Sequence, residues 1–179
     1  KICSSSWRNL KKCDNELCPV CAVRVGIEVR RRLSRIMSEA YAQGYYCAMA
    51  TLTMRHGIEH SCNDNVQAQK QAWRKMTQDK AYKKLIASYG VVGHVCPTDQ
   101  TFNFINGVHF HFHVIFIIDP DKFNEDDWTN DYDDESLWTQ LADKWEYFVH
   151  AVGRDCVREY AVDLRVGDQY ISEYIAKFG

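Results

Sequence analysis

The sequence predicts an α+β fold: a central antiparallel sheet with RRM-like (ferredoxin-like) topology, helices on one face, and an N-terminal zinc-binding segment. Three observations support this prediction. The chain starts with a cysteine-rich stretch, residues 107–118 form a long β-branched and aromatic run, and amphipathic stretches alternate with shorter apolar runs. With 179 residues and 46% hydrophobic content, the chain suits one domain with a full core.

The elements are predicted in the following order. Residues 1–20 are a cysteine-rich loop, and Gly44 closes a first amphipathic helix. The helices are predicted at 21–43, 65–88, 134–152 and 168–178, and the strands at 45–54, 90–97, 107–118 and 158–166. Pro120 ends the third strand because proline cannot continue a central ladder. After the first helix, this order is the split βαβ pattern, which leaves one sheet face open for a ligand.

Charge is distributed unevenly along the chain. The net charge is −2, but residues 119–135 hold nine acids and one lysine, so the remainder carries +6. Basic residues cluster in two places, Arg24, Arg30, Arg31, Arg32 and Arg35, then Lys70, Arg74, Lys75, Lys80, Lys83 and Lys84. A basic face with a separate acidic loop fits a DNA-binding protein. On charge alone, two solvated helix faces explain the pattern equally well.

The sequence shows no signal for membrane insertion or secretion. No apolar run reaches the roughly 18 residues of a membrane helix, and no secretory signal opens the chain. We therefore expect a cytoplasmic protein with reduced thiols and no membrane partner. Because the chain starts at Lys1 rather than methionine, we expect a piece of a longer protein, with a zinc-binding segment at 1–22 packed on a main domain at 23–179.

Four N-terminal cysteines have metal-ligand spacing. Cys3, Cys13, Cys18 and Cys21 give C-x9-C-x4-C-x2-C, and the last pair has the spacing of a zinc knuckle. Four thiolates form a closed tetrahedral site, so we expect structural Zn²⁺. The alternatives are buried free thiols or a redox pair at Cys18 and Cys21, but a redox pair favours a preceding strand that the sequence does not predict.

Three histidines alternate along the strongest predicted strand. His109, His111 and His113 are separated by Phe110 and Phe112, and side chains on a strand alternate between faces. The three imidazoles therefore share one face, where two of them lie close enough to bind one metal ion. The alternative is three histidines on a half-solvated strand with no ligand.

Residues 106–114 (NGVHFHFHV) resemble the His-hydrophobic-His motif of the HUH endonucleases, in the form used by rolling-circle replication initiators of small plasmids. Residues 51–57 (TLTMRHG) resemble that family's first motif, and residues 13–24 resemble its N-terminal zinc segment. Residues 73–76 and 81–85 resemble its first core helix. The resemblance spans nearly the whole chain.

The resemblance implies a catalytic site for Mg²⁺ or Mn²⁺. It makes His111 and His113 metal ligands, and His109 an additional ligand or a phosphate contact. The family usually places a glutamate on the preceding strand as the third ligand, but this chain has none there. The candidates for this position are Cys96, which aligns nearest to it, His94 on the same face of that strand, and Asp99 if the loop folds back. An all-nitrogen site would favour Mn²⁺ over Mg²⁺.

The last predicted helix carries a tyrosine pattern. Tyr170, Tyr174 and Lys177 lie at helical positions that share a face, with Ile171 and Ile175 expected to anchor the other. Alone, this pattern favours an ordinary amphipathic helix with tyrosines in the core. It resembles the double-tyrosine subgroup of the same family, which implies that Tyr174 is the main nucleophile, Tyr170 the second, and Lys177 a group that steadies the phosphate.

The resemblance implies a replication initiator that nicks single-stranded DNA and keeps the new 5′ end as a phosphotyrosine. Its expected partners are single-stranded or hairpin origin DNA and a host helicase. Three alternatives remain open. A rolling-circle transposase or relaxase would use the same chemistry, a zinc-containing DNA-binding module would have none, and a metal-dependent hydrolase of small substrates would form no covalent DNA adduct.

Overall fold

A computed structural model describes residues 19–55, 61–103 and 107–176. Three of the proposed zinc ligands (Cys3, Cys13 and Cys18) and Lys177 lie outside these residues, as does the side chain of Cys21. The zinc segment predicted at 1–22 therefore stays a prediction. In the described ranges, no helix is both long and apolar enough to cross a membrane.

The chain forms six helices and five strands in its described part, and these have the following bounds. The helices are α1 (Pro19–Ala42), α2 (Cys62–Gln78), α3 (Lys80–Ser88), α4 (Leu137–His150), α5 (Arg158–Ala161) and α6 (Asp168–Ala176). The strands are β1 (Tyr46–Leu52), β2 (Val91–Val95), β3 (Thr98–Asn103), β4 (Gly107–Ile118) and β5 (Val162–Val166). Two short 3-10 turns, Pro120–Lys122 and Glu125–Trp128, lie in the acidic loop.

The structure refines the predicted elements at three places. The helix predicted at 65–88 is two helices, because Asp79 adopts an extended backbone and its side chain accepts a hydrogen bond from the Tyr82 N–H at 2.8 Å. Strand β3 was not predicted, and β5 is preceded by the short helix α5. Gly44 ends α1 as predicted, with a φ of +83° that favours glycine.

The strands form one antiparallel sheet in the order β2–β4–β1–β5, with β3 also paired to β4. From Gly93 onward, strands β2 and β3 keep one register against β4: Val95 lies opposite Ile115, and Thr98 lies opposite Phe112. The two strands are therefore one edge of the sheet, interrupted only at Cys96 and Pro97. The predicted α+β class with an antiparallel sheet is confirmed.

Helices cover both faces of this sheet. On the first face, Ala48, Ala50, Val114 and Phe116 pack in one core with α2 and α4, which contributes Trp145. On the second face, alternate strand residues pack with α1 and α6 in a second cluster, formed by Leu33, Met37, Ala40, Cys47, Met49, Ile115, Ile171, Tyr174 and Ile175. The expectation of helices on one face only was wrong, because Cys47 and Met49 of β1 and Ile115 and Ile117 of β4 form an apolar patch on the second face that needs cover.

The acidic loop between β4 and α4 is anchored to the first core. Trp128 is 2% exposed and its ring centroid lies 5.3 Å from that of Phe116. Next to it, Asn130 accepts a hydrogen bond from the Leu164 N–H at 2.7 Å and donates one to Asp163 at 2.8 Å. The loop thus occupies part of the outer edge of β5, which would otherwise expose backbone groups for pairing.

Candidate active site

The three histidines of β4 point to the second face of the sheet. Their positions alternate with the buried Phe112 and Val114, which point to the first face. The ring centroids of His109 and His111 are 4.0 Å apart, and those of His111 and His113 are 6.1 Å apart. His113 is the most enclosed of the three, with 8% of its surface exposed. The alternation therefore gathers the imidazoles as the sequence predicted.

His113 is held from both neighbouring strands. On β1, Thr51 lies directly opposite, and its Oγ1 atom is 3.1 Å from His113 Nδ1. On the other side, Oδ2 of Asp99 lies 3.6 Å from His113 Nε2. The backbone N–H of His113 also donates to the carbonyl of Pro97 at 3.1 Å. Each ring nitrogen therefore faces a different polar group.

The register of the edge strand decides which of the three candidate third ligands reaches the histidines. Asp99 lies opposite His111, so it points to the same face as the imidazoles. His94 lies opposite Phe116 instead, and its ring centroid is 5.4 Å from that of Trp73 on the first face.

Cys96 packs against that same first core, and burial raises the pKa of its thiol to about 12. Of the three candidates, Asp99 is therefore the one on the imidazole face. His94 and Cys96 do share a face, but it is the face opposite to the imidazoles, because Val95 pairs with Ile115.

Tyr174 lies over His113. Their ring centroids are 4.2 Å apart, with the ring planes inclined by 41°. Ile171 and Ile175 pack in the same apolar cluster as Tyr174, rather than on an opposite face of α6 as predicted. The backbone of Tyr170 belongs to α6, but its side chain is outside the described set. Of the two predicted tyrosines, Tyr174 is the one whose side chain the structure describes, and it lies beside His113.

The surroundings of Tyr174 keep its phenol protonated. The residue is 2% exposed, and burial is the main cause that raises its pKa far above the usual range. The negative charge of Asp99 raises the pKa further, followed by Cys96. A cation near Asp99 would lower the pKa of Tyr174.

The donor set around His113 fits a divalent cation in its chemistry. Among the described residues, no group of three His, Cys, Asp or Glu side chains is already arranged to hold one ion. However, the 3.6 Å between His113 Nε2 and Asp99 Oδ2 is close to the roughly 3–3.5 Å expected of two atoms that each lie about 2.1 Å from one ion. A site with both imidazole and carboxylate ligands suits Mn²⁺ or Mg²⁺. An all-nitrogen site would suit Mg²⁺ less well.

The two basic clusters lie on opposite sides of the sheet. Helix α1 packs on the second face with α6, and its five arginines are all exposed there. Arg32 forms an exposed ion pair with Glu28, at 2.9 Å. The basic residues of α2 and α3 belong to helices on the first face. Only the α1 cluster therefore shares a face with Tyr174 and the histidines.

Thr51 is the site residue to which the sequence assigned no role. It lies inside the segment 51–57 that was recognised as a motif, but its effect depends on pairing with β4. Its position on the imidazole face follows only once Thr51 is known to lie opposite His113. The period-two alternation of β1 is the signal that could have suggested it.

Comparison with known proteins identifies the family. A family model described as "Replication protein" matches residues 5–149. A "Protein rep" from Lentilactobacillus hilgardii is 28% identical over 131 residues, which cover 72% of this chain and 39% of the relative. The chain thus spans less than half the length of that relative.

No solved structure matches the chain significantly. The family match ends before α6, so Tyr174 lies beyond it. The matched region includes β1, the edge strand and β4, and thus Thr51, Asp99 and the three histidines. Since this match covers most of the chain, the protein belongs to the replication protein family.

Proposed function

We propose that this chain is the nicking domain of a plasmid rolling-circle replication initiator of the HUH type. Family membership and the similarity to "Protein rep" support the role in replication. The observation that carries the chemical part is that Tyr174 lies over His113, whose Nε2 atom faces the carboxylate of Asp99. A phenol beside a histidine–carboxylate set is the arrangement that metal-assisted attack on a phosphodiester requires.

The strand order supports the finer fold assignment. Counting β2 and β3 as one edge, the order is β5, β1, β4 and then that edge, with all neighbours antiparallel. This is the order of an RRM-like split βαβ domain, and we propose that topology here. We also retain the proposal that Cys3, Cys13, Cys18 and Cys21 bind structural Zn²⁺.

His111, His113 and Asp99 would hold the catalytic cation. Small changes of side-chain rotamer are needed, because the described side chains do not already enclose an ion. His109 lies beside His111 and remains an additional ligand or a phosphate contact. When bound, Mg²⁺ or Mn²⁺ would polarise the scissile phosphate and oppose the effect of Asp99 on the pKa of Tyr174.

Tyr174 would supply the nucleophile. Its Oη atom attacks phosphorus, the bond from phosphorus to the 3′ oxygen breaks, the phenolic proton passes to water, and the leaving oxygen takes up a proton. The product is a 5′-phosphotyrosine with a free 3′-OH. Since Tyr174 is 2% exposed, α6 must shift before a phosphate can reach it. Tyr170 as the second nucleophile and Lys177 as a phosphate contact extend this proposal.

The DNA would approach over the second face. Helix α1 presents five exposed arginines on that side and no lysine. Guanidinium groups bind phosphate oxygens through two parallel hydrogen bonds, which favours α1 as the contact with the duplex or hairpin arm of an origin. Single-stranded DNA then reaches the histidines, because a scissile phosphate in a duplex is poorly exposed. A host helicase remains a proposed partner.

The test is covalent capture of DNA. The protein is incubated with single-stranded origin-like oligonucleotides and Mn²⁺ or Mg²⁺, and a denaturing gel shows whether a slow protein–DNA band forms. We expect the band in wild type and in the control Tyr147→Phe, whose tyrosine is 66% exposed on α4. We expect none with EDTA or in Tyr174→Phe.

Other results would overturn parts of the proposal. Cleavage without a covalent band would indicate a hydrolase, and DNA binding without cleavage would indicate a binding module. A covalent band that depends on Tyr170 but survives Tyr174→Phe would reverse the proposed order of the tyrosines.

A further inference from the structure

We propose that Thr51 is a positioning residue that holds the ring of His113 with Nε2 directed at Asp99 in both neutral tautomers, and that it thereby sets the affinity of the site for a divalent cation. This inference rests on the proposed function, in which His113 binds the cation. The hydroxyl of Thr51 lies at Nδ1, the ring nitrogen on the far side from Asp99.

The position of Thr51 is fixed by the sheet. It lies on β1 directly opposite His113 on β4, and directly opposite Asp163 on β5. Its Oγ1 atom is 3.1 Å from His113 Nδ1. A threonine on a paired central strand has a stiff χ1 angle, so the hydroxyl is held at this nitrogen. The other ring nitrogen, Nε2, is thereby directed to Asp99.

The two states of the imidazole need different hydrogen bonds at Nδ1. Without a cation we expect the Nε2–H tautomer, in which Nε2–H faces the Asp99 carboxylate and Nδ1 accepts a hydrogen bond from the Thr51 hydroxyl. With a cation bound at Nε2, the proton must lie on Nδ1, which then donates to Thr51 Oγ1. A hydroxyl can serve both states because it both donates and accepts.

Other groups at this position would serve only one state. A carboxylate or a carbonyl oxygen accepts but does not donate, so it would hold the proton on Nδ1 permanently. An aliphatic side chain would leave Nδ1 without a hydrogen bond in either state. Thr51 therefore fits a site that binds its cation reversibly.

The test compares three variants in the folded protein. Thr51→Val keeps the shape and removes the hydroxyl, Thr51→Ser keeps the hydroxyl, and Thr53→Val is the matched control, since the Thr53 hydroxyl donates to the carbonyl of Tyr160 instead. We expect Thr51→Val to weaken Mn²⁺ binding by about 10- to 100-fold in calorimetric titration. Thr51→Ser should lie within about threefold of wild type, and Thr53→Val should bind Mn²⁺ like wild type. Thermal melts establish that each variant is folded.

A second measurement reads the proton directly. Nitrogen-15 NMR of His113 in wild type should show the Nε2–H form without cation and the Nδ1–H form with Mg²⁺, which is diamagnetic. In Thr51→Val the ring is no longer held at Nδ1, so the change to the Nδ1–H form should need more Mg²⁺ than in wild type. DNA cleavage by this variant should need more Mn²⁺ for half-maximal rate and recover at saturating Mn²⁺.

Three results would overturn the inference. The first is that Thr51→Val binds Mn²⁺ as tightly as wild type. The second is that Thr51→Ser binds Mn²⁺ as weakly as Thr51→Val. The third is that the proton on wild-type His113 does not move from Nε2 to Nδ1 when Mg²⁺ is added. Failure of the nuclease proposal would be seen separately, if the wild-type protein binds Mn²⁺ but forms no covalent DNA band.

Discussion

Asp99 and His113 face each other diagonally across the β3–β4 pair, with Oδ2 of the first 3.6 Å from Nε2 of the second. The acid comes from the edge strand and the imidazole from the strand beside it. Asp99 also contributes to the raised pKa of Tyr174. One carboxylate thus acts on both a candidate ligand and the candidate nucleophile.

Replacing Asp99 should therefore impair cation binding. We expect Asp99→Asn to weaken Mn²⁺ binding and to slow DNA nicking by at least about tenfold, because the amide keeps an oxygen but loses the charge. Isothermal titration and a gel-based cleavage rate measure the two effects. The matched control is His94→Gln, on the opposite face of the sheet beside Trp73. Equal losses of Mn²⁺ affinity and nicking rate in the two variants would contradict the choice of Asp99 over His94 as the third ligand.

The arginines of α1 should dominate DNA binding. We expect Arg31→Ala and Arg35→Ala each to weaken binding of single-stranded or hairpin DNA, and to reduce the slope of log affinity against log salt by about 0.7–0.9 for each lost phosphate contact. The control is Lys83→Ala with Lys84→Ala, both exposed on α3 at the other face. Fluorescence anisotropy at several salt concentrations measures both. A larger loss in the lysine variant would place the DNA on the first face.

Removing the hydroxyl of Tyr82 should make the folded protein more stable. The residue is 1% exposed, and its hydroxyl has no hydrogen-bond partner among the described residues. A buried polar group without a partner costs about 1–3 kcal/mol, so Tyr82→Phe should raise the free energy of unfolding by about 1 kcal/mol in urea denaturation. A decrease would show that the hydroxyl has a partner. Tyr147→Phe, at an exposed position, serves as the control.

The same residue should make stability sensitive to alkali. Burial raises the pKa of Tyr82 well above its ordinary value of about 10. A group whose pKa is raised by folding stabilises the folded state below its unfolded pKa and loses that contribution as pH rises above it. Unfolding midpoints should therefore fall from about pH 10 upward, and less steeply in Tyr82→Phe. Parallel curves for the two proteins would contradict this.

Asn130 should contribute to stability through the edge of β5. Its side chain accepts from the Leu164 N–H and donates to Asp163, and Asn130→Ala removes both hydrogen bonds. We expect a loss of about 1–2 kcal/mol in the free energy of unfolding. Asn124→Ala, in the same loop but bonded only within it, should cost less. Equal losses would mean that the contact with β5 adds nothing.

The sequence was most informative where a period could be counted. Alternation in β4 placed His109, His111 and His113 on one face without knowledge of any other strand. It could not tell whether His94 or Asp99 joins them, because the face of an edge strand depends on its register with β4.

Other features depended on tertiary context. Strand β3 is polar, so nothing in its composition marked it, and it exists because β4 offers a partner. The break at Asp79 depends on a cap within an otherwise helical stretch. The cover of the second face by α1 and α6 also required knowing that these helices pack together.

Helices α1 and α6 are joined by the same buried side chains, since Leu33 and Met37 pack in one cluster with Ile171 and Tyr174. A rigid, close-packed interface transmits displacement rather than absorbing it. A displacement of α1 would therefore also move α6, and with it the phenol of Tyr174. If α1 binds DNA as proposed, the same movement of α1 that binding causes would then help to expose the hydroxyl of Tyr174.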